Sequence, residues 1–149
     1  MSVNELFALD KRVSEFRDLQ NLDVQSNQLT SLPSSFSQLQ HLTSLNLARN
    51  ALSRVPSCIL ALTSLVSLDL SDNMLDTLWS QADAEKAGIA ASDVLRSLAT
   101  LNLAYNCLST SALVPMPASL KRLQLSHNLL REPLPVSYTH LTLPTSDLV

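Results

Sequence analysis

Along this chain the apolar residues recur in blocks that share one set of offsets. Leu19, Leu22 and Val24 precede Asn27 and Leu29, and the same spacing returns in Leu42, Leu45, Leu47, Asn50 and Leu52. It returns again in Leu65, Leu68, Leu70, Asn73 and Leu75, then in Leu98, Leu101, Leu103, Asn106 and Leu108, and finally in Leu120, Leu123, Leu125, Asn128 and Leu130. With Asn4 included, the asparagines of this frame are separated by 23, 23, 23, 33 and 22 residues. The alternation Leu22-x-Val24 and its equivalents has the period of a strand, one side chain inward and the next outward. Five short parallel strands are predicted, centred on Leu22 to Val24, Leu45 to Leu47, Leu68 to Leu70, Leu101 to Leu103 and Leu123 to Leu125.

After each asparagine the apolar spacing changes to three. Leu29, Leu32, Phe36 and Leu39 surround Pro33, and Leu52, Val55, Ile59 and Leu62 surround Pro56. That spacing suits short helical or 3₁₀ segments on the side opposite the strands. No single block can bury its own apolar residues, but stacked blocks share a continuous core. The predicted fold is an α/β solenoid with a parallel concave sheet and short helical or extended convex segments. In the inward set the asparagine is the polar member, and a buried amide left without partners costs about 1 to 3 kcal/mol. Asn27, Asn50, Asn73, Asn106 and Asn128 are therefore expected to form a structural ladder that bonds the backbone of neighbouring coils. A catalytic or metal array is the poorer explanation, because an amide is neither acid nor base.

The frame is that of a leucine-rich repeat, and from Asn4 to Pro135 the chain resembles a protein of that family. The 23-residue form with Leu-Pro after the strand is similar to the intracellular Ras-group-related class, the scaffolds of Ras signalling and the repeat regions of Ras-responsive cyclases. The resemblance implies a protein partner held by the concave face, with a small GTPase or another signalling protein as the partner class, and a cytoplasmic or nuclear setting. It also leaves open an alternative, a regulatory or targeting array attached to a larger signalling enzyme such as a cyclase, kinase or ubiquitin ligase.

The pattern departs from its frame in four places. Between Leu78 and Leu98 the chain is ten residues longer than a standard copy, and Trp79 stands where proline is expected. Ser80-Gln-Ala-Asp83 has the form of a capping box and Gly88 can end a turn, so the insertion at 79–97 should contain a short extra helix. Leu113-Val-Pro115-Met-Pro117 is expected to run extended. At the N-terminus Asn4, Leu6, Leu9, Val13 and Phe16 match the second half of a coil whose strand is missing, so an upstream region is expected. From Val136 the residues Val-Ser-Tyr-Thr-His-Leu-Thr-Leu-Pro-Thr resemble, letter for letter, a reading frame through the adapter used in transposase-based sequencing libraries. The repeat array is accordingly assigned to residues 1–135, and 136–149 is expected to be a non-native tail.

Composition narrows the chemistry. Of the 149 residues 33 are leucine and one is glycine, which leaves no phosphate-cradling loop. The formal charge is −3, with no run of lysine or arginine, so neither nucleic acid nor an anionic membrane is an expected partner. The three histidines and two cysteines show no ligand spacing, and no nucleophile elbow or isolated carboxylate pair occurs. No cofactor and no catalytic residue is assigned, and an enzyme is not expected. Cys58 and Cys107 occupy different repeat positions; both are read as small apolar filler rather than as a disulfide.

What remains is the outward face. Asp23, Asn46, Asp69, Asn102 and Gln124 form one column, Gln25, Ala48, Ser71, Ala104 and Ser126 the next, and Ser26, Arg49, Asp72, Tyr105 and His127 the column beside the asparagines. Arg49, Asp72 and Tyr105 vary most in chemistry and include residue types that anchor interfaces. Together with Asp69 and Asn102 they are the expected partner-binding residues.

Overall fold

The computed structural model describes residues 11–90, 93–113 and 117–130. Asn4, Leu6, Leu9, Pro115 and the whole of 136–149, including the expected non-native tail, lie outside them.

Five three-residue strands, β1 (Asn21–Asp23), β2 (Ser44–Asn46), β3 (Ser67–Asp69), β4 (Thr100–Asn102) and β5 (Arg122–Gln124), form one parallel sheet in chain order. The register pairs equivalent repeat positions throughout: Leu22 with Leu45, Leu45 with Leu68, Leu68 with Leu101 and Leu101 with Leu123. Each strand is centred one residue earlier than the alternation suggests. The pairing nevertheless continues past the strand ends, with the Val24 N–H donating to the Asn46 carbonyl at 3.0 Å and the Ser26 N–H to the Ala48 carbonyl at 2.9 Å.

Parallel neighbours need a crossover, and here it is supplied by 3₁₀ turns. Ser34–Gln38 follows Pro33 and Ser57–Ala61 follows Pro56, each proline sitting at the N-cap with an extended ψ. Phe36 and Ile59 point from these turns into the core, where they meet the strand leucines and the post-asparagine Leu29, Leu52 and Leu75. Leu45, Leu47, Leu68, Leu70, Leu101 and Leu103 are essentially inaccessible. In the fourth coil a 3₁₀ turn at Thr110–Ala112 precedes the extended Leu113, a turn that the run of prolines did not suggest.

The insertion does what its cap residues indicate. Helix α1 (Gln81–Lys86) starts at Ser80 in a capping box: the Ser80 hydroxyl accepts from the Asp83 N–H at 3.1 Å, and the Asp83 carboxylate accepts from the Ser80 N–H at 2.8 Å. Gly88 follows with φ +74°, a left-handed geometry that costs other residues about 1 to 2 kcal/mol. Ala84 and Trp79 are buried, and α1 lies against the 3₁₀ turn Ser57–Ala61 on the convex side. The ten extra residues leave the sheet undisturbed, since β3 and β4 keep the same register as every other pair.

Candidate functional site

The surface that the strands present is built by the turn that follows each of them. The last strand residue folds its side chain onto the backbone two residues on. Asp23 Oδ1 accepts from the Gln25 N–H at 3.1 Å, Asn46 Oδ1 from Ala48 at 3.0 Å, Asp69 Oδ1 from Ser71 at 2.9 Å and Asn102 Oδ1 from Ala104 at 3.0 Å. Such Asx turns are the mechanism by which short polar side chains bend a chain. Asp69 also accepts from the Ser71 hydroxyl at 2.6 Å. Asp69 and Asn102 are thus half-buried groups already holding an internal bond.

The next column does not face solvent as the alternation implied. Ala48, Ser71 and Ala104 are buried, because the chain has already begun to turn and neighbouring coils close over it. The column after it is thrown outward by a left-handed backbone: Ser26, Arg49, Asp72, Tyr105 and His127 all have φ between 54° and 60°. This positive φ leaves no signature in hydrophobic spacing, and sequence reading missed it.

The asparagine completes the turn. Asn73 Nδ2 donates to the carbonyls of Leu70 (3.0 Å) and Ser71 (3.1 Å) in its own coil and of Leu47 (3.0 Å) in the preceding one. Its Oδ1 accepts from the Leu52 N–H at 3.1 Å. Asn50, Asn106 and Asn128 repeat this set, bonding back to Val24, Leu70 and Leu103 respectively, and Asn27 bonds the Val24 and Gln25 carbonyls. Arg49, Asp72, Tyr105 and His127 are each therefore followed by a side chain that clamps two coils together.

On this clamped edge Arg49, Asp72, Tyr105 and His127 stand side by side. Arg49 Nε lies 4.0 Å from Asp72 Oδ2, with their side chains 69% and 45% exposed. At that exposure the pair contributes at most about 1 kcal/mol. Tyr105 and His127 stack with ring centroids 4.2 Å apart and planes 10° from parallel. The structure brings together Arg49, Asp72 and Tyr105 as one row, with Asp69 and Asn102 in the half-buried row behind them.

A second row escaped the sequence reading. Of the residues that follow the asparagines, Gln28, Met74, Cys107 and Leu129 are exposed and Ala51 is half-buried, so Cys107 is exposed rather than filler. The signal was available in the same frame, one position past the asparagines and two past the outward column beside them. Cys58 lies half-buried and free on the convex side, where burial pushes its thiol from 9.0 up to about 11 against the opposing backbone N–H groups of Cys58 and Ile59. That side also holds a cavity of about 590 Å³ between α1 and the 3₁₀ turns, lined by Ser34, Ser53, Arg54, Ser57, Cys58 and Lys86 among others. Among the described residues no three His, Cys, Asp or Glu side chains cluster as metal ligands, and no helix is long and apolar enough to cross a membrane.

Two sequence profiles, both described as leucine-rich repeat, match residues 17–75 and 119–141. The chain is a leucine-rich repeat protein. Among solved structures, a leucine-rich repeat protein of Leptospira interrogans is 33% identical and superposes with a TM-score of 0.76, covering 95% of this chain and 34% of that one. The leucine-rich repeat domain of APL1B is 29% identical, with a TM-score of 0.70 over 100% of this chain and 43% of that one. TLR13, in a complex with ssRNA13, is 26% identical, with a TM-score of 0.73 over 97% of this chain and 20% of that one. The repeats described here thus span about a third of the length of the first structures they match. No curated protein matches the chain by sequence.

Proposed function

We propose that this leucine-rich repeat segment is a protein-interaction module whose partner docks on the strand-end edge of the sheet, on Arg49, Asp72 and Tyr105 with Asp69 and Asn102 beside them. The observation that carries this reading is the left-handed row. Ser26, Arg49, Asp72, Tyr105 and His127 occupy a backbone geometry for which glycine or asparagine is the unstrained choice. Strain of that kind, held in place by a rigid surround, concentrates where side chains must be presented in fixed positions. A tyrosine supplies apolar area with little rotamer entropy, and the adjacent opposite charges set register more than affinity. Arg49 has Asp72 beside it, a mixed-charge arrangement that favours a protein over a phosphate backbone. The 23-residue period and the Leu-Pro steps at Pro33 and Pro56 support a finer reading, an intracellular signalling scaffold of the Ras-group-related kind with a small GTPase or similar protein as its partner.

The test is capture of a partner by the full-length protein. Arg49→Glu and Asp72→Lys combined with Tyr105→Ala should abolish it. Capture that survives this triple change but fails on deletion of residues 82–91 would move the interface to the convex insertion.

A further inference from the structure

The row one residue past the ladder asparagines is held in register by the backbone. The Met74 N–H donates to the Leu52 carbonyl, the Cys107 N–H to Leu75 and the Leu129 N–H to Leu108, each at 2.8 Å. Met74 is 54% exposed and Leu129 63%, Cys107 is exposed between them, and Tyr105 of the adjacent row is 52% exposed. Large exposed apolar residues scattered singly need no explanation, whereas a contiguous set marks a contact surface. The charges beside it are one matched pair, Arg49 with Asp72, and one further carboxylate. Met74 stands between Asp72 and Asp76 in the chain, and the exposed Asp76 carboxylate has no partner among the described residues.

Resting on the reading of this edge as a protein-binding surface, we propose that Ala51, Met74, Cys107 and Leu129 seat an amphipathic helix of the partner that carries basic residues beside its apolar stripe. Spacing selects the helix. Parallel coils repeat about every 4.8 Å, so the row runs about 14 Å from Ala51 to Leu129, while three helical turns advance about 16 Å. An extended partner returns a side chain to the same face only every 6.6 Å or so and falls between the coils. Charge selects the sign: with Arg49 and Asp72 opposite one another, the unpartnered Asp76 is the charge left to face whatever flanks the apolar stripe, and lysine or arginine there complements it. Methionine and cysteine are soft, adaptable surfaces of the kind that accept a helix face.

Three fluorescent peptides of about 18 residues, long enough to form a helix, separate the alternatives. One places leucine and lysine at helical spacing, one alternates leucine and lysine residue by residue, and one replaces lysine with glutamate at helical spacing. Fluorescence anisotropy with the intact chain should show binding of the first, weakened at least about tenfold by Met74→Ser with Leu129→Ser, and weakened less, in a salt-dependent way, by Asp76→Asn. The row positions are exposed, so an unchanged thermal midpoint should accompany these losses. Equal binding of the alternating or the glutamate peptide, no binding of the first, or binding indifferent to the row substitutions overturns the helix. Capture of the natural partner keeps the two claims apart. Capture lost with Arg49, Asp72 and Tyr105 substituted but retained in the row double variant rejects the helix seat alone, whereas capture retained in the triple variant rejects the edge as the interface.

Discussion

At the scale of single residues, the fold depends on asparagines and the surface depends on strained neighbours. Asn73→Ala removes one carboxamide that serves three carbonyls and one N–H across two coils, so it should cost about 1 to 3 kcal/mol. Asn50→Ala should do the same, while exposed Ser53→Ala costs little; urea denaturation midpoints read the difference, and equal midpoints would reject the ladder. Tyr105→Asn places a residue that tolerates the left-handed backbone at φ 58°. The relief offsets loss of the Tyr105–His127 stack, so the melting midpoint should stay nearly constant while partner capture falls. The two cysteines should separate by chemistry. Maleimide at neutral pH should label exposed Cys107 quickly and Cys58 slowly, since burial holds the Cys58 thiol protonated up to about 11. Folding favours the neutral Cys58 thiol, so its contribution to stability is complete below the ordinary thiol pKa and is lost as pH rises from about 9 towards 11. Cys58→Ala should remove that part of the alkaline slope.

Among the elements, those specified by local chemistry were legible and those specified by packing were less so. The strands follow from alternation at Leu45-x-Leu47 and its equivalents, the convex turns from Pro33 and Pro56, and α1 from the Ser80 to Asp83 box. The fate of the outward columns was not legible. Period-two reading sends Ala48, Ser71 and Ala104 to the surface, but the Asx turns at Asn46, Asp69 and Asn102 end the period and bury them. The same turn swings Arg49, Asp72 and Tyr105 out. Helix α1 offers an independent check. Gly88→Ala introduces a Cβ that meets nothing within 4 Å, so its expected cost of about 1 kcal/mol is backbone strain alone. Ser80→Ala should cost a comparable 1 kcal/mol or so through loss of the cap. Hydrogen exchange within 81–88 should rise in both, with the sheet amides unaffected.

Across the whole molecule, each coil contributes one equivalent position to every row, so a surface feature of one coil becomes a line across five. That multiplication made the solenoid readable from spacing: offsets shared by Asn27, Asn50, Asn73, Asn106 and Asn128 specify the sheet register even across the ten-residue insertion. It does not identify which line is used, because side-chain exposure at Met74, Tyr105 and Leu129 depends on how tightly the turns close rather than on the repeat itself. The proposed recognition surface is the strand-end edge, where clamped, left-handed turns present side chains at little further cost in ordering. Hydrogen–deuterium exchange of the full-length protein with and without its partner tests this most directly. New protection is expected in the segments 47–52, 70–76 and 103–108 together, with 81–90 unchanged; protection confined to 81–90 and the convex turn Ser57–Ala61, with the edge segments unchanged, would rule out the strand-end edge as the interface.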